Sequence, residues 1–347
     1  MSESPPPADT TLSGPLTEAW NKVLDGQLLD RDAALRVVPA LATVSGTELA
    51  AVSLLARETA ARFAGPGMRL CAILNARSGR CSQDCAFCAQ SAKHQTNAPV
   101  YPLIAAEKIV AAGLAMRAHG VTRFGIVLAG LALSDRDADI LAEAVAGLRR
   151  KGVIPDVSCG LASRAQLEKL IRAGLGGVHH NLETSARFFP SICTTHPYDA
   201  DLDAVRLAVS CGIYVCSGGL FGLGETWEDR VDLALTLRAL GVQSVPLNFL
   251  VPIPGTPLAG RQVLEPEEAL RIVALFRLLL PAAHLRLCGG RAAVFGADSA
   301  RPFTSGVSGV MVGDYLTVAG QDIRKDLAAL AQLGLAPVLE NQEQGAA

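Results

Sequence analysis

The chain has no basic tract interleaved with aromatics of the kind that grips a phosphate backbone, and its formal net charge is only −2. Nucleic acid is therefore not an expected partner. Nor is there an apolar run long enough to span a bilayer. The longest stretches, such as residues 269–287, are broken by Arg271, Arg277 and Pro281, so no membrane association is expected. The opening MSESPPPADTTLSG is polar and proline-rich, without the basic start and apolar run of a secretory leader, and the expected location is the cytoplasm. Nine cysteines is an odd number. In a reducing compartment such thiols are better read as metal ligands or buried apolar groups than as disulfides.

What is present is a compact globular composition: half of the 347 residues are hydrophobic and 18% are charged. That length allows two ordinary domains or one large α/β barrel. Residues 1–14 and 336–347 read as flexible tails. Residues 15–66 read as a helical extension, with Ala19, Trp20, Val23 and Leu24 on one face, and Gly65-Pro66-Gly67 closes it. From residue 67 to 335 short apolar runs alternate with segments of helical period. Strands are predicted at 69–74, 123–129, 154–159, 177–182, 213–218, 244–250, 284–289 and 308–313. The intervening helices are predicted at 105–118, 136–150, 164–173, 200–210, 227–239, 265–279 and 321–333, with capping-box signals at Ser134, Ser163 and Thr226. Eight strands alternating with helices argue for an α/β fold with a parallel sheet. The count suits a closed (β/α)8 TIM-type barrel; an open doubly wound sheet is permitted by the same alternation.

The stretch Cys81-Ser-Gln-Asp-Cys85-Ala-Phe-Cys88 carries the chemistry. Three thiols at this spacing can hold three irons of a cubane cluster and leave the fourth open to a small chelating molecule. The alternative is a zinc knuckle, which normally needs a second Cys/His pair, and here only His94 follows nearby. With Asn75-Ala-Arg-Ser-Gly-Arg before it and Ala89-Gln-Ser-Ala-Lys-His94 after it, the motif resembles the biotin synthase family of radical S-adenosylmethionine (SAM) enzymes. The resemblance spans roughly residues 15 to 335 and favours the full barrel.

The resemblance implies a 4Fe-4S cluster on Cys81, Cys85 and Cys88 whose open iron binds SAM, with Phe87 shielding it. It implies SAM contacts from Glu183 and from the string Gly218-Gly219-Leu-Phe-Gly222-Leu-Gly224; taken alone, that string reads equally as a turn. Asn181, placed on one strand face with Glu183, and Asn248 would contact the ureido ring of dethiobiotin. It further implies an electron donor such as flavodoxin or ferredoxin, and a homodimer. His179 stands where relatives commonly show asparagine.

One departure is marked. Well-studied relatives hold a 2Fe-2S cluster deep in the barrel by three cysteines and an arginine, and this cluster donates sulfur. Here Gly125 and Asp156 stand where two of those cysteines are expected, while Cys216 and Arg286 match. Cys71, Cys159, Cys216 and Cys288 fall on predicted strands one, three, five and seven, and a barrel layer is built from alternate strands. An all-thiolate auxiliary Fe-S cluster, 2Fe-2S or larger, is therefore expected on these four, with Arg286 as its neighbour. The alternative is four buried small hydrophobes. Cys211 reads as packing and Cys193 as an outside candidate ligand. The expected activity is a sulfurtransferase that converts dethiobiotin to biotin. Alternatives are a hydrogenase-maturation or methylornithine-synthase-like radical SAM enzyme without sulfur transfer, or, from another class, a metal carrier.

Overall fold

The computed structural model describes Leu12, residues 14–318 and residues 320–340. The tail expected at residues 1–14 lies almost wholly outside them, as does the last part of the tail expected after 335. Three helices come first: α1 (Gly14–Leu24), α2 (Arg31–Leu41) and α3 (Gly46–Thr59). There follow β1 (Met68–Arg77), α4 (Ala106–Arg117), β2 (Arg123–Leu128), α5 (Asp135–Arg150), β3 (Ile154–Ser158), α6 (Arg164–Arg172) and β4 (Gly177–His179). The second half adds α7 (Tyr198–Ser210), β5 (Tyr214–Cys216), β6 (Gly219–Phe221), α8 (Trp227–Leu240), β7 (Ser244–Phe249), α9 (Pro266–Leu279) and β8 (His284–Leu287). The chain closes with α10 (Arg291–Phe295), β9 (Gly309–Met311), α11 (Ile323–Gln332) and β10 (Pro337–Val338).

The sheet runs β1-β2-β3-β4-β5-β7-β8-β9 and returns from β9 to β1, all pairs parallel. This is the closed eight-stranded barrel that the strand count suits and the family resemblance favours. The helix starts follow local chemistry. Ser163 with Gln166 and Thr226 with Asp229 form reciprocal capping boxes, whereas Ser134 caps only by accepting from Asp137 N–H. The N-terminal extension lays its apolar stripe, including Leu16, Trp20 and Val23, into the same core as the barrel helices. Arg31 reaches Asp232 on α8 at 2.7 Å and Arg271 on α9 donates to the Val44 carbonyl at 3.0 Å, fixing the extension on that flank.

Three features differ from the expected strands. The fourth strand ends at His179 instead of 182, and Glu183 adopts a left-handed φ of 62°. The fifth is interrupted: β5 pairs with the start of β7, and β6 pairs with its end. A side chain at Gly218, between the two, would lie 2.1 Å from the Pro246 carbonyl, so only glycine permits this approach. Finally, the C-terminal segment is not a free tail as far as residue 340. β10 pairs with Met68 and Arg69 at the start of β1, and Glu340 is buried in the barrel floor.

A candidate active site reaching from the mouth to the floor of the barrel

The loop after β1 carries the cysteine triplet, and its turns are held from several sides. Cys81 N–H donates to the Gln90 carbonyl at 3.0 Å, Ala92 N–H to the Cys81 carbonyl at 2.7 Å, and Cys88 N–H to the Cys85 carbonyl at 2.9 Å. Asp84 accepts from the Thr194 and Thr195 N–H groups at 2.9 and 3.3 Å and from both hydroxyls. These bonds hold its carboxyl well below the usual carboxylate range. His94 places Nδ1 2.9 Å from the Cys88 carbonyl, so it braces the loop.

Cys81, Cys85 and Cys88 line a cavity of about 450 Å³ that runs down inside the barrel. Burial, together with the charge of neighbouring thiols and Glu183, pushes Cys85 well above the ordinary thiol range. Burial also pushes Cys88 up to about 11. Thiolates at these positions therefore need a compensating cation.

Phe87 is half-buried, packs on the core and lines this cavity together with a smaller one of about 270 Å³. Asn181 and Glu183 also face the main cavity. The left-handed turn at Glu183 brings them together beyond the strand end, with Asn181 Nδ2 3.4 Å from Glu183 Oε2. Burial and Asp201 push the Glu183 carboxyl up to about 8, against the opposing hydrogen bond from Asn181. Asn248 donates to the Gly219 carbonyl at 3.1 Å and accepts from Gly289 N–H at 2.9 Å, leaving one N–H and one lone pair for a ligand.

The glycine string is placed differently from expectation. Gly218, Gly219, Gly222 and Gly224 line neither cavity. Added side chains would meet the Pro246 carbonyl, Leu233, Leu264 and Arg261 respectively. Glu225 already accepts from the N–H groups of Gly222, Leu223 and Gly224 at 3.1, 2.8 and 3.1 Å. Those glycines serve close packing and a carboxylate-filled turn, and of this string only Leu220 reaches a cavity.

Deeper in the barrel, Cys71, Cys216 and Cys288 line the same cavity, and the charge on each would be felt by the others. Cys159 does not join them. Ser158 and Gly160 face the cavity, so the period of two sends Cys159 to the outer face, where it is 2% exposed in the core beneath the helices. The four-thiol layer is thus a three-thiol layer. Gly125 and Asp156 both face the cavity. An added Cβ at Gly125 would lie 3.1 Å from Ile73 Cγ2, and Asp156 is taken up by Arg123 at 2.6 and 2.9 Å.

Cys193, the outside candidate ligand, lies beside the mouth, with Sγ 3.8 Å from Cys85 Sγ. Sequence reasoning missed two groups. One is the polar cluster around Cys193: His196 Nδ1 lies 3.3 Å from its Sγ, and Asp201 bridges His196 and His180 at 3.0 and 2.8 Å. The string Cys193-Thr-Thr-His196, in a loop on the catalytic face, was its available signal. The other is the ionic floor of Arg123, Asp156, Arg286 and Glu340.

A family model described as the radical SAM superfamily matches residues 76–237, and one described as the biotin and thiamin synthesis associated domain matches residues 246–336. A biotin synthase of Geobacter sulfurreducens is 45% identical, over 91% of this chain and 95% of its own. One from Nitratidesulfovibrio vulgaris is 43% identical, over 89% of this chain and 87% of its own. The chain belongs to the biotin synthase family.

Two solved structures resemble this family member in fold alone. A methylornithine synthase superposes with a TM-score of 0.79 at 19% identity, over 94% of this chain and 98% of its own. The hydrogenase maturase of Carboxydothermus hydrogenoformans superposes with 0.76 at 18% identity, over 93% of this chain and 79% of its own. The groups this family implies fit the residues present. The mouth offers three soft donors, and the floor offers three more beside an arginine with an unpartnered nitrogen. Among the described residues no helix is long and apolar enough to cross a membrane.

Proposed function

We propose that this member of the biotin synthase family inserts sulfur into dethiobiotin, using a 4Fe-4S cluster with SAM at the mouth and an auxiliary Fe-S cluster at the floor. The observation that carries the reading is that two sets of thiols, Cys81/Cys85/Cys88 and Cys71/Cys216/Cys288, line one continuous cavity. When bound, the groups at the mouth supply the electron and the hydrogen-abstracting radical, and the group at the floor supplies sulfur. The external electron donor is of the flavodoxin or ferredoxin kind, and the working compartment is a reducing cytoplasm.

The chain's own residues orient and enclose. Glu183, whose carboxyl burial pushes up to about 8, can donate to one ribose hydroxyl and accept from another. Asn181 and Asn248 each present an amide with free capacity toward a ureido group, which needs both a donor and an acceptor. Tyr315, Leu316 and Val318, which line both cavities, cover the mouth and keep water from the reacting atoms. Asn75 holds this cover by donating to the Leu316 carbonyl at 2.9 Å.

The test is an anaerobic assay of reconstituted protein with SAM, reductant and dethiobiotin, read by mass spectrometry. Biotin together with 5'-deoxyadenosine is the expected result. Deoxyadenosine without biotin, from protein whose iron content shows both sites filled, would overturn the substrate and leave the radical SAM chemistry.

A further inference from the structure

The last described residues form a strap across the bottom of the barrel. Met68 N–H donates to the Ala336 carbonyl at 2.9 Å, and β10 adds two residues to the edge of β1 below β2. Leu339 then points to solvent, 62% exposed, and Glu340 turns into the floor. Its carboxylate bridges two guanidiniums, Arg123 Nε at 2.5 Å and Arg286 Nη2 at 2.6 Å. Asp156 completes the set on Arg123, and a third guanidinium, Arg69, lies close enough to interact with Glu340 and Arg286.

Arg286 is fixed on three sides. Nε donates to Ser244 Oγ at 3.0 Å, and Nη2 donates to Glu340 and, at 3.4 Å, to Tyr214 Oη. Nη1 is buried and has no acceptor. The side chain is 1% exposed and borders the cavity shared with Cys71, Cys216 and Cys288. A charged nitrogen left bare in such a place is costly unless an anionic acceptor faces it.

We propose that the C-terminal strap is part of the auxiliary site, with Glu340 fixing Arg286 so that its unpartnered Nη1 faces the group on Cys71, Cys216 and Cys288. Glu340 is a positioning residue, acting through Arg286. The inference rests on the auxiliary cluster of the proposed function.

The experiment compares full-length wild type with Glu340→Ala and Glu340→Gln after anaerobic reconstitution. It measures iron and sulfide per chain, the chelator concentration that removes half of the auxiliary iron, and that cluster's midpoint potential. Glu340→Ala frees Arg286 and is expected to lower the half-removal concentration by roughly tenfold, the usual scale for a lost outer partner. Glu340→Gln keeps the hydrogen-bonding shape and removes one negative charge. It is expected to retain the iron and raise the midpoint potential, because the added electron meets less repulsion. Wild-type retention and potential in Glu340→Ala would overturn the inference alone. So would Glu340→Gln losing iron as Glu340→Ala does with no change of potential, which marks a mere staple. Wild-type protein that holds only the first cluster would overturn this inference and the auxiliary site together.

Discussion

A carboxyl group placed as Glu183 is, against the cavity wall with Asp201 nearby, resists ionisation until about pH 8, whereas the unfolded chain loses the proton near 4.5. Between those values the native state binds more protons than the unfolded state, so this group makes stability fall as pH rises. Burial pushes His179 down to about 4 and His284 down to about 3, from 6.5. Their contribution runs the other way but ends near pH 6.5. From 6.5 to 8 the histidines no longer contribute. The buried thiols, raised from 9.0, add to the fall toward the upper end, so the comparison with Glu183→Gln, not the slope alone, reports the carboxyl. In cluster-free protein the urea midpoint should drop across this interval, and Glu183→Gln should flatten the drop; equal slopes would show that the carboxyl is already ionised. Parity along a strand decides the next case. Cys288→Ala should lower auxiliary iron, whereas Cys159→Ala should leave iron unchanged and cost on the order of 1 kcal/mol of stability for a small buried side chain. That distinction was legible in the sequence. Asp156 was aligned with the lost ligand, and Cys159, an odd number of residues away, had to face outward.

At the scale of elements, the cysteine loop owes its shape to the segment after β4. Besides Asp84, Ala86 N–H donates to the Ile192 carbonyl at 2.8 Å, and His196 Nδ1 lies 2.8 Å from Gln83 Oε1. Removing the acceptor leaves the N–H groups of Thr194 and Thr195 without their partner and lets the two loops part. Asp84→Ala should therefore release iron from the first cluster several-fold faster under chelator, with the auxiliary iron unaffected; equal rates would show that the loop holds its own shape. Elements governed by local pattern were readable: the capping boxes at Ser163 and Thr226, the helical periods and the eight apolar runs. The interruption between β5 and β6 was not, because it depends on how closely the Pro246 carbonyl approaches Gly218 from the next strand. For the same reason the glycine string reads as a ligand loop in sequence and as packing in space.

For the whole molecule, closure of the barrel and completion of its floor share one strand, since β9 and β10 both pair with β1 at Arg69. β10 and Glu340 read as part of a polar tail because their partners, Met68, Arg123 and Arg286, are remote in sequence and no local period marks a two-residue strand. The seam lies at Gly309, which pairs with Arg69 on β1 and with Arg286 on β8. A side chain there would lie 2.8 Å from Arg286 Cγ and 3.1 Å from the Arg69 carbonyl. Alanine in place of glycine normally favours an ordered chain by about 0.5–1 kcal/mol. At the seam this gain competes with crowding worth about 1–3 kcal/mol, since the carbonyl cannot move without opening a ladder. Gly309→Ala should therefore lower the melting temperature by a few degrees and displace Arg286, so that auxiliary iron falls while the first cluster fills normally. Gly260, whose added Cβ would meet nothing within 4 Å, is the control. Gly260→Ala should be neutral or slightly stabilising with both clusters intact. If the two variants behave alike, the seam tolerates a side chain and the coupling between closure and the auxiliary site is wrong.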